Sequence, residues 1–498
     1  MKNLTILEAK KALKNKEFSA VELTRYYLNR IEHCKDINAF VTTCADKAID
    51  SAKKADELIS KGNDLPLLGI PLGIKDLYCT KGIRTTACSK ILENFIPEYE
   101  STVTRNLLNN GAIFLGKTNM DEFAMGSSNA TSYFGPCFLP YCKKTNKDMK
   151  LVPGGSSGGS ATAVATDLCI AATASDTGGS IRQPAAFSGL VGIKPTYGLC
   201  SRYGMVAFAS SLDQAGPITK NVADAAIMLN AMASYDINDS TSENVNIPDY
   251  KSVLGQSIKG MKIGIPKEYL EGLNSDGLNL IEESKKWLVS AGCTIVDISL
   301  KTTPYALPAY YIIAPAEASS NLARYDGVRY THRSKQCDNI EELYVNSRSE
   351  GFGEEVQRRI LTGTYVLSAG FMDAYYNKAL KIQKLIKSDF QQNAFSNVDV
   401  ILTITTPSTA FGLEEVGQMS PVEMYLNDVF TVTANIAGLP AMSIPCGLSS
   451  KDKLPLGIQL IGDRFDETSV FKVAYVLEQS ANFDELRKEI TWRQEYVL

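Results

Sequence analysis

The chain has 498 residues, 44% of them hydrophobic and 21% charged, the composition of a globular protein rather than a disordered one. Fifty-one Lys and Arg against 55 Asp and Glu leave a formal charge of −4, which makes no global electrostatic case for a nucleic-acid or anionic-membrane binder. No apolar run approaches the roughly 18 residues of a spanning helix, and the first twenty residues carry no apolar signal core; eleven Cys without a CxxC pair point to free thiols in a reducing, cytoplasmic compartment rather than to disulfides or a zinc site.

Residues 1–60 predict helices. Ser19 followed by Glu22 is a capping-box start, with apolar residues then spaced by three and four. A second amphipathic helix is expected over Asp46 to Ile59. From Leu68 to Leu77 the pattern changes to a short buried strand broken by Gly and Pro. Ser101 to Asn109 predicts a helix and Ala112 to Leu115 a strand. Residues 160–175 predict an Ala-rich buried helix and strand, followed by Gly-rich turns to about residue 217 and a helix over Val222 to Met232. The polar stretch from Tyr235 to Asn244 is a candidate boundary or surface excursion. Beyond it, strands at Met261 and Thr294 flank a helix from Asp276 to Ser290 as a β-α-β unit. Residues 305–395 are expected to be mostly helical, with strands again near Val398, Ala441 and Leu456 and a capped helix from about Asp466. Strands alternating with helices predict an α/β protein. We divide its 1–498 domain into N-terminal helices (1–60), a core (65–232), an elaboration (about 235–395) and a completion of the sheet (396–498).

Only two histidines are present, His33 and His332. Serine and cysteine nucleophiles usually borrow a histidine base, so a catalyst built from this chain more naturally uses Lys, Asp or Glu. Of three motif matches, two fail on physical grounds and the third survives as a rival. Gly111 to Thr118 fits GxxxxGK[ST], but its middle residues are apolar strand formers where a phosphate cradle needs a flexible loop. Asp176-Thr-Gly has no second copy to share a proton with, as an aspartic protease requires. Gly155 to Gly159 fits the GxSxG nucleophile elbow at Ser157, for which His332 is the one later histidine.

Two Ser/Gly-rich turns remain, Pro153 to Ala161 and Ser175 to Ala185, with Ser156 and Ser180 lying 24 residues apart across one buried segment. Glycines let the backbone approach closely and leave successive N–H groups free to face an anion. A serine at 180 can attack a carbonyl while the N–H groups of Thr177, Gly178 and Gly179 receive the oxyanion. With no histidine in reach, two such turns favour a serine nucleophile with a lysine base over inert Gly-rich loops. The lysine is Lys75, in an otherwise apolar strand, where desolvation lowers a lysine's pKa and frees its lone pair. A pairing of Lys75 with Asp76 is the structural alternative.

These turns, with Gly73-Ile-Lys75-Asp76 and Gly116-Lys-Thr-Asn-Met-Asp121-Glu-Phe-Ala-Met-Gly126, resemble the amidase signature family over nearly the whole chain. The resemblance implies one large domain, a mixed β-sheet covered by helices on both faces. It also implies a Ser-Ser-Lys triad: Ser180 as nucleophile, Ser156 as a bridging serine preceded by a cis peptide, and Lys75 as base. Within the family, Asp121 to Ser128, Lys194 to Gly198, Val206 to Gln214, Glu317 to Gly327, Ser347 to Gly353 and Asp373 to Tyr376 are similar to the A subunits of tRNA-dependent amidotransferases. That likeness implies glutamine as substrate, held by Tyr310, Arg359 and Asp428. An arginine suits an α-carboxylate and an aspartate an α-ammonium. It further implies B and C partner subunits in a heterotrimer. The partner would use ATP and Mg²⁺ on Glu-tRNA(Gln) and make most of the tRNA contacts, with no cofactor or metal in this chain. The rival expectations are a stand-alone amidase for another small or aryl amide, an α/β-hydrolase esterase using Ser157 and His332, and a non-catalytic subunit.

Overall fold

The capping box at Ser19 forms as its sequence dictates: Ser19 Oγ accepts the Glu22 N–H, and the Glu22 carboxylate accepts the Ser19 N–H, opening the helix Ala20–His33. In the computed structural model, which describes residues 1–496, two further N-terminal helices, Ile6–Lys14 and Ala45–Ser60, flank it. Between them lies a strand that the sequence pattern does not announce, β1 (Phe40–Thr43).

Ten more strands complete one sheet: β2 (Pro71–Lys75), β3 (Ile113–Thr118), β4 (Ala171–Asp176), β5 (Val191–Lys194), β6 (Gln214–Thr219), β7 (Lys262–Pro266), β8 (Thr294–Ile298), β9 (Val400–Ile404), β10 (Ala441–Leu448) and β11 (Pro455–Gly462). Their spatial order is β1-β3-β2-β4-β6-β5-β10-β11-β9-β7-β8. Pairings β3–β2–β4 and β9–β7–β8 are parallel and the others antiparallel, so the sheet is mixed. Every residue of β2 through β6, β9 and β11 is buried, on alternating sides of the pleat alike. Both faces of the sheet are therefore covered by helices, the α/β arrangement the sequence predicts. The β-α-β unit forms as expected, β7 and β8 pairing in parallel around the helix Ser275–Ser290.

The stretch from 177 to 217 differs from its expectation. In place of continuous turns it contains the helix Arg182–Ser188 and the strands β5 and β6. Its glycines serve close packing here: a Cβ on Gly192 would meet Ala185 Cβ at 2.8 Å. The polar stretch after Tyr235 is tied to the core, with Ser201 Oγ donating to Asp236 at 2.7 Å and Arg202 paired with Asp239 at 3.0 Å. Among the described residues no helix is long and apolar enough to cross a membrane.

Candidate active site

In sequence, strand β4 lies between two Ser/Gly turns, and both turns meet at its C-terminal end, where the Ser157 hydroxyl donates to the Ser175 carbonyl at 3.2 Å. Before β4, the Gly155–Ser156 peptide is cis, the Gly155 N–H donates to Gln183 Oε1 at 2.8 Å, and the Asp121 N–H donates to the Ser156 carbonyl at 3.1 Å. The helix Gly158–Ala165 follows at once. After β4, the chain turns through Thr177 to Ser180 into the helix Arg182–Ser188. The one side chain of Gln183 therefore reaches back to fix the first turn relative to the second.

A buried ion pair holds the second turn. Arg182 donates to Asp176 through Nη2 at 2.9 Å and Nε at 3.0 Å, and its Nη1 donates to the Thr431 carbonyl at 2.9 Å and Gln459 Oε1 at 2.6 Å. Despite full burial, the Arg182 guanidinium holds the Asp176 carboxyl down at about 2. Gly178 and Gly179 are required by space and conformation. A Cβ on Gly178 would lie 2.7 Å from Tyr310 Cζ, and Gly179 has φ +146°. The N–H groups of Gly178, Gly179 and Ser180 have no acceptor among the described residues, and the Ser180 hydroxyl, in a residue 7% exposed, has no hydrogen-bond partner there.

Lys75 ends β2, beside β4, with its own N–H donating to Thr173 Oγ1 at 2.9 Å. Its Nζ lies 2.8 Å from Ser156 Oγ, 2.7 Å from Ser157 Oγ and 2.9 Å from Ser175 Oγ. Full burial pulls the ammonium pKa down to about 7, against the fields of Asp121 and Asp176. A neutral amine still donates two hydrogens and accepts one, which rotatable hydroxyls can satisfy. Asp76 does not pair with Lys75; it sits 3.9 Å from Lys117.

The three residues expected at the substrate end are buried near one another. Tyr310 packs on Gly178. Asp428 accepts from Ser127 Oγ at 2.9 Å and Tyr311 OH at 3.3 Å, and burial pushes its carboxyl up to about 7. Arg359 donates through Nε to Glu355 at 2.8 Å, and its guanidinium lies 5.4–5.5 Å from the ring centres of Phe208, Tyr311 and Tyr425. Its two terminal nitrogens have no acceptor among the described residues. A cavity of about 470 Å³ opens beside Arg359, lined also by Ser127, Gly353, Met419 and Tyr425; Ser180 and Asp428 lie outside its lining.

The arrangement argues against the esterase expectation and agrees with the rejection of the phosphate-loop match. His332 bonds Glu350 through Nε2 at 2.8 Å, while the Ser157 hydroxyl bonds Lys75, so no Ser157–His332 dyad forms. Gly111 to Thr118 is largely β3, and Lys117 points inward to Thr85 Oγ1 at 2.8 Å rather than into a phosphate loop. Among the described residues no cluster of three His, Cys, Asp or Glu is placed to hold a metal ion. The sequence carried no sign of Ser175 as a partner of the lysine, nor of Ser127, Tyr311, Glu355 and Tyr425 around Asp428 and Arg359, and it did not single out Ser157 in that role. Only the doubled serine at 156–157 gave any signal.

The site gathers a buried lysine amine among three serine hydroxyls, with no histidine bonded to any of them among the described residues. The Amidase family model matches residues 22–471, and the chain belongs to that family. It is 59% identical over 480 residues to the A subunit of the glutamyl-tRNA(Gln) amidotransferase of Methylocella silvestris, covering 96% of this chain and 97% of the relative. It is 60% identical over 481 residues to the corresponding A subunit from Bartonella henselae, with the same coverage. Among solved structures, the glutamyl-tRNA(Gln) amidotransferase A subunit of Thermotoga maritima superposes with a TM-score of 0.77 at 40% identity, over 96% of this chain and 94% of that one. The peptide amidase of Stenotrophomonas maltophilia gives 0.80 at 27% identity, over 98% and 97%.

Proposed function

We propose that the chain hydrolyses glutamine to glutamate and ammonia as the A subunit of a glutamyl-tRNA(Gln) amidotransferase. The observation that carries this reading is the Lys75 amine, buried and bonded to Ser156 at 2.8 Å, in a chain so similar to subunits of that name. Neutral Lys75 takes a proton from Ser156, and Ser156 takes one from Ser180. Ser180 Oγ attacks the side-chain amide carbon of glutamine, and the N–H groups of the turn Thr177, Gly178, Gly179 and Ser180 receive the oxyanion. The proton returns through Ser156 to the departing nitrogen, ammonia leaves, and water hydrolyses the γ-glutamyl ester on Ser180.

Arg359 and Asp428 hold the α-carboxylate and α-ammonium, and Tyr310 shapes the floor against Gly178. Substrate binding supplies what each charged group lacks. The carboxylate occupies the terminal nitrogens of Arg359, and the ammonium favours the ionised form of an Asp428 carboxyl that burial holds near 7. A stand-alone amidase for uncharged amides has no use for this pair. The reading places the protein in the cytoplasm with B and C subunits, where the partner spends ATP with Mg²⁺ on Glu-tRNA(Gln), makes the main tRNA contacts and consumes the ammonia.

The test is ammonia release from glutamine by the chain co-expressed with its B and C subunits. Turnover is expected to rise on adding ATP and Glu-tRNA(Gln). Hydrolysis of propionamide as fast as glutamine, indifferent to the partners, overturns the reading in favour of a stand-alone amidase.

A further inference from the structure

We infer that Asp213 is a positioning residue that braces the oxyanion turn and the carboxylate-binding arginine through the two oxygens of one side chain, an inference that rests on the glutamine reading above. Asp213 is buried, immediately before β6. Its Oδ1 accepts the Thr177 hydroxyl at 2.6 Å. Its Oδ2 accepts the N–H groups of Phe208 at 2.9 Å and Ala209 at 3.1 Å. The first contact fixes the residue that opens the turn leading to Ser180. The second fixes the backbone of Phe208, whose ring centre lies 5.4 Å from the Arg359 guanidinium carbon.

The segment carrying Phe208 is held from outside as well, so a shift at Asp213 is not free to dissipate along it. The Phe208 carbonyl accepts from Asn321 Nδ2 at 3.1 Å, and the Ser211 N–H donates to Glu317 at 2.9 Å; both partners sit on the helix Ala306–Asn321, which also carries Tyr310. Burial is what raises the Asp213 carboxyl, to about 6, while Thr177, Ala209 and Phe208 stabilise its charged form. At neutral pH it is ionised and accepts all three hydrogens. Glutamine spans the same two points. Its amide carbon must sit at the oxyanion turn and its α-carboxylate at Arg359, so the spacing between them is a specificity-determining length.

The experiment is steady-state hydrolysis of glutamine and of propionamide by variants of the full chain assembled with its partner subunits. Thr177→Val cuts only the first contact. It lowers kcat for both substrates about tenfold, as loss of one hydrogen bond to a charged group does, leaves the glutamine KM near its original value, and is rescued by Thr177→Ser. Asp213→Ala cuts both contacts. It lowers kcat to a similar degree and also raises the glutamine KM about fivefold to tenfold, with no matching rise for propionamide. Asp213→Asn, whose amide oxygen can face the two N–H groups, recovers most of the KM. Unchanged kcat in Thr177→Val, or an equal rise in KM for both substrates in Asp213→Ala, overturns the brace. If Asp213→Ala does not fold, Phe208→Leu decides the second half. It keeps both backbone contacts but removes the ring, and must raise the glutamine KM more than it lowers kcat; an unchanged KM refutes that half. Failure of the glutamine reading is distinct, because it shows as propionamide turnover without glutamine turnover in the unmodified protein. The substrate half of the brace then falls, and Thr177→Val on propionamide still decides the half at the turn.

Discussion

Replacing Arg359 by Ala tests the proposed recognition of the substrate's α-carboxylate separately from the chemistry at its side-chain amide. Arg359 uses Nε on Glu355 at 2.8 Å, and its terminal nitrogens have no acceptor among the described residues. A charge-assisted hydrogen bond contributes roughly 1.5–3 kcal/mol. At about 1.4 kcal/mol per decade, the glutamine KM should rise about tenfold to a hundredfold. Propionamide has no carboxylate to lose, so its kinetics should hardly move. The variant also loses contacts with the rings of Phe208, Tyr311 and Tyr425, together worth about 1–3 kcal/mol of stability. Glu355 is not left without partners, since Arg358 and Tyr425 OH remain on it. Circular dichroism should therefore show a folded protein at 25 °C. The assay is ammonia release against substrate concentration for both amides. Arg359→Lys should recover only part of the loss, because an ammonium has no planar fork to offer a carboxylate. Equal losses on glutamine and propionamide refute the assignment and make Arg359 a structural residue.

Two further outcomes follow from burial. In the proposed mechanism Lys75 must be neutral to accept a proton, and burial brings its pKa to about 7, so kcat/KM for propionamide should rise with pH through about 7 and then level; on glutamine the slope below 7 should be steeper, because the proposed contact with the ammonium requires Asp428 to ionise as well. A flat profile across pH 6–8 with unmodified enzyme, or full activity in Lys75→Ala, contradicts this. Arg182→Met leaves the Asp176 charge buried without its partner and should cost about 3–5 kcal/mol in denaturant unfolding; a loss near zero means the pair does not hold the nucleophile turn.

What the sequence made legible was local. The capping box at Ser19, the β-α-β unit at 261–298 and a buried strand within Leu68 to Leu77 are each written in periodicity and cap residues within a few positions. The two Ser/Gly turns were legible too, because strand β4 and one helix between them leave little choice about which ends meet. The stretch after Ser180 was not. Gly189, Gly192, Pro195 and Gly198 read as turns, yet Gly192 lies in β5 and serves close packing against Ala185. Ser175 could not be recognised as a lysine partner, because the pairing of β4 with β2, and so which side chains lie side by side, is settled by sheet order rather than by local pattern. The surroundings of Arg359 come from helices Ala306–Asn321 and Glu354–Leu367 and from the segment around Tyr425. No spacing in the sequence brings those three together.

The central claim is that Ser180 carries the acyl group, with Ser156 and Lys75 behind it. Rapid quenching of the assembled protein during turnover of isotopically labelled glutamine, followed by peptide mapping, tests it most directly. A γ-glutamyl ester is expected on Ser180, absent in Ser180→Ala, which should lose about 10³-fold or more in hydrolysis because the triad acts as a unit. Label on Ser157 or Ser156, or glutamine turnover undiminished in Ser180→Ala, contradicts the account.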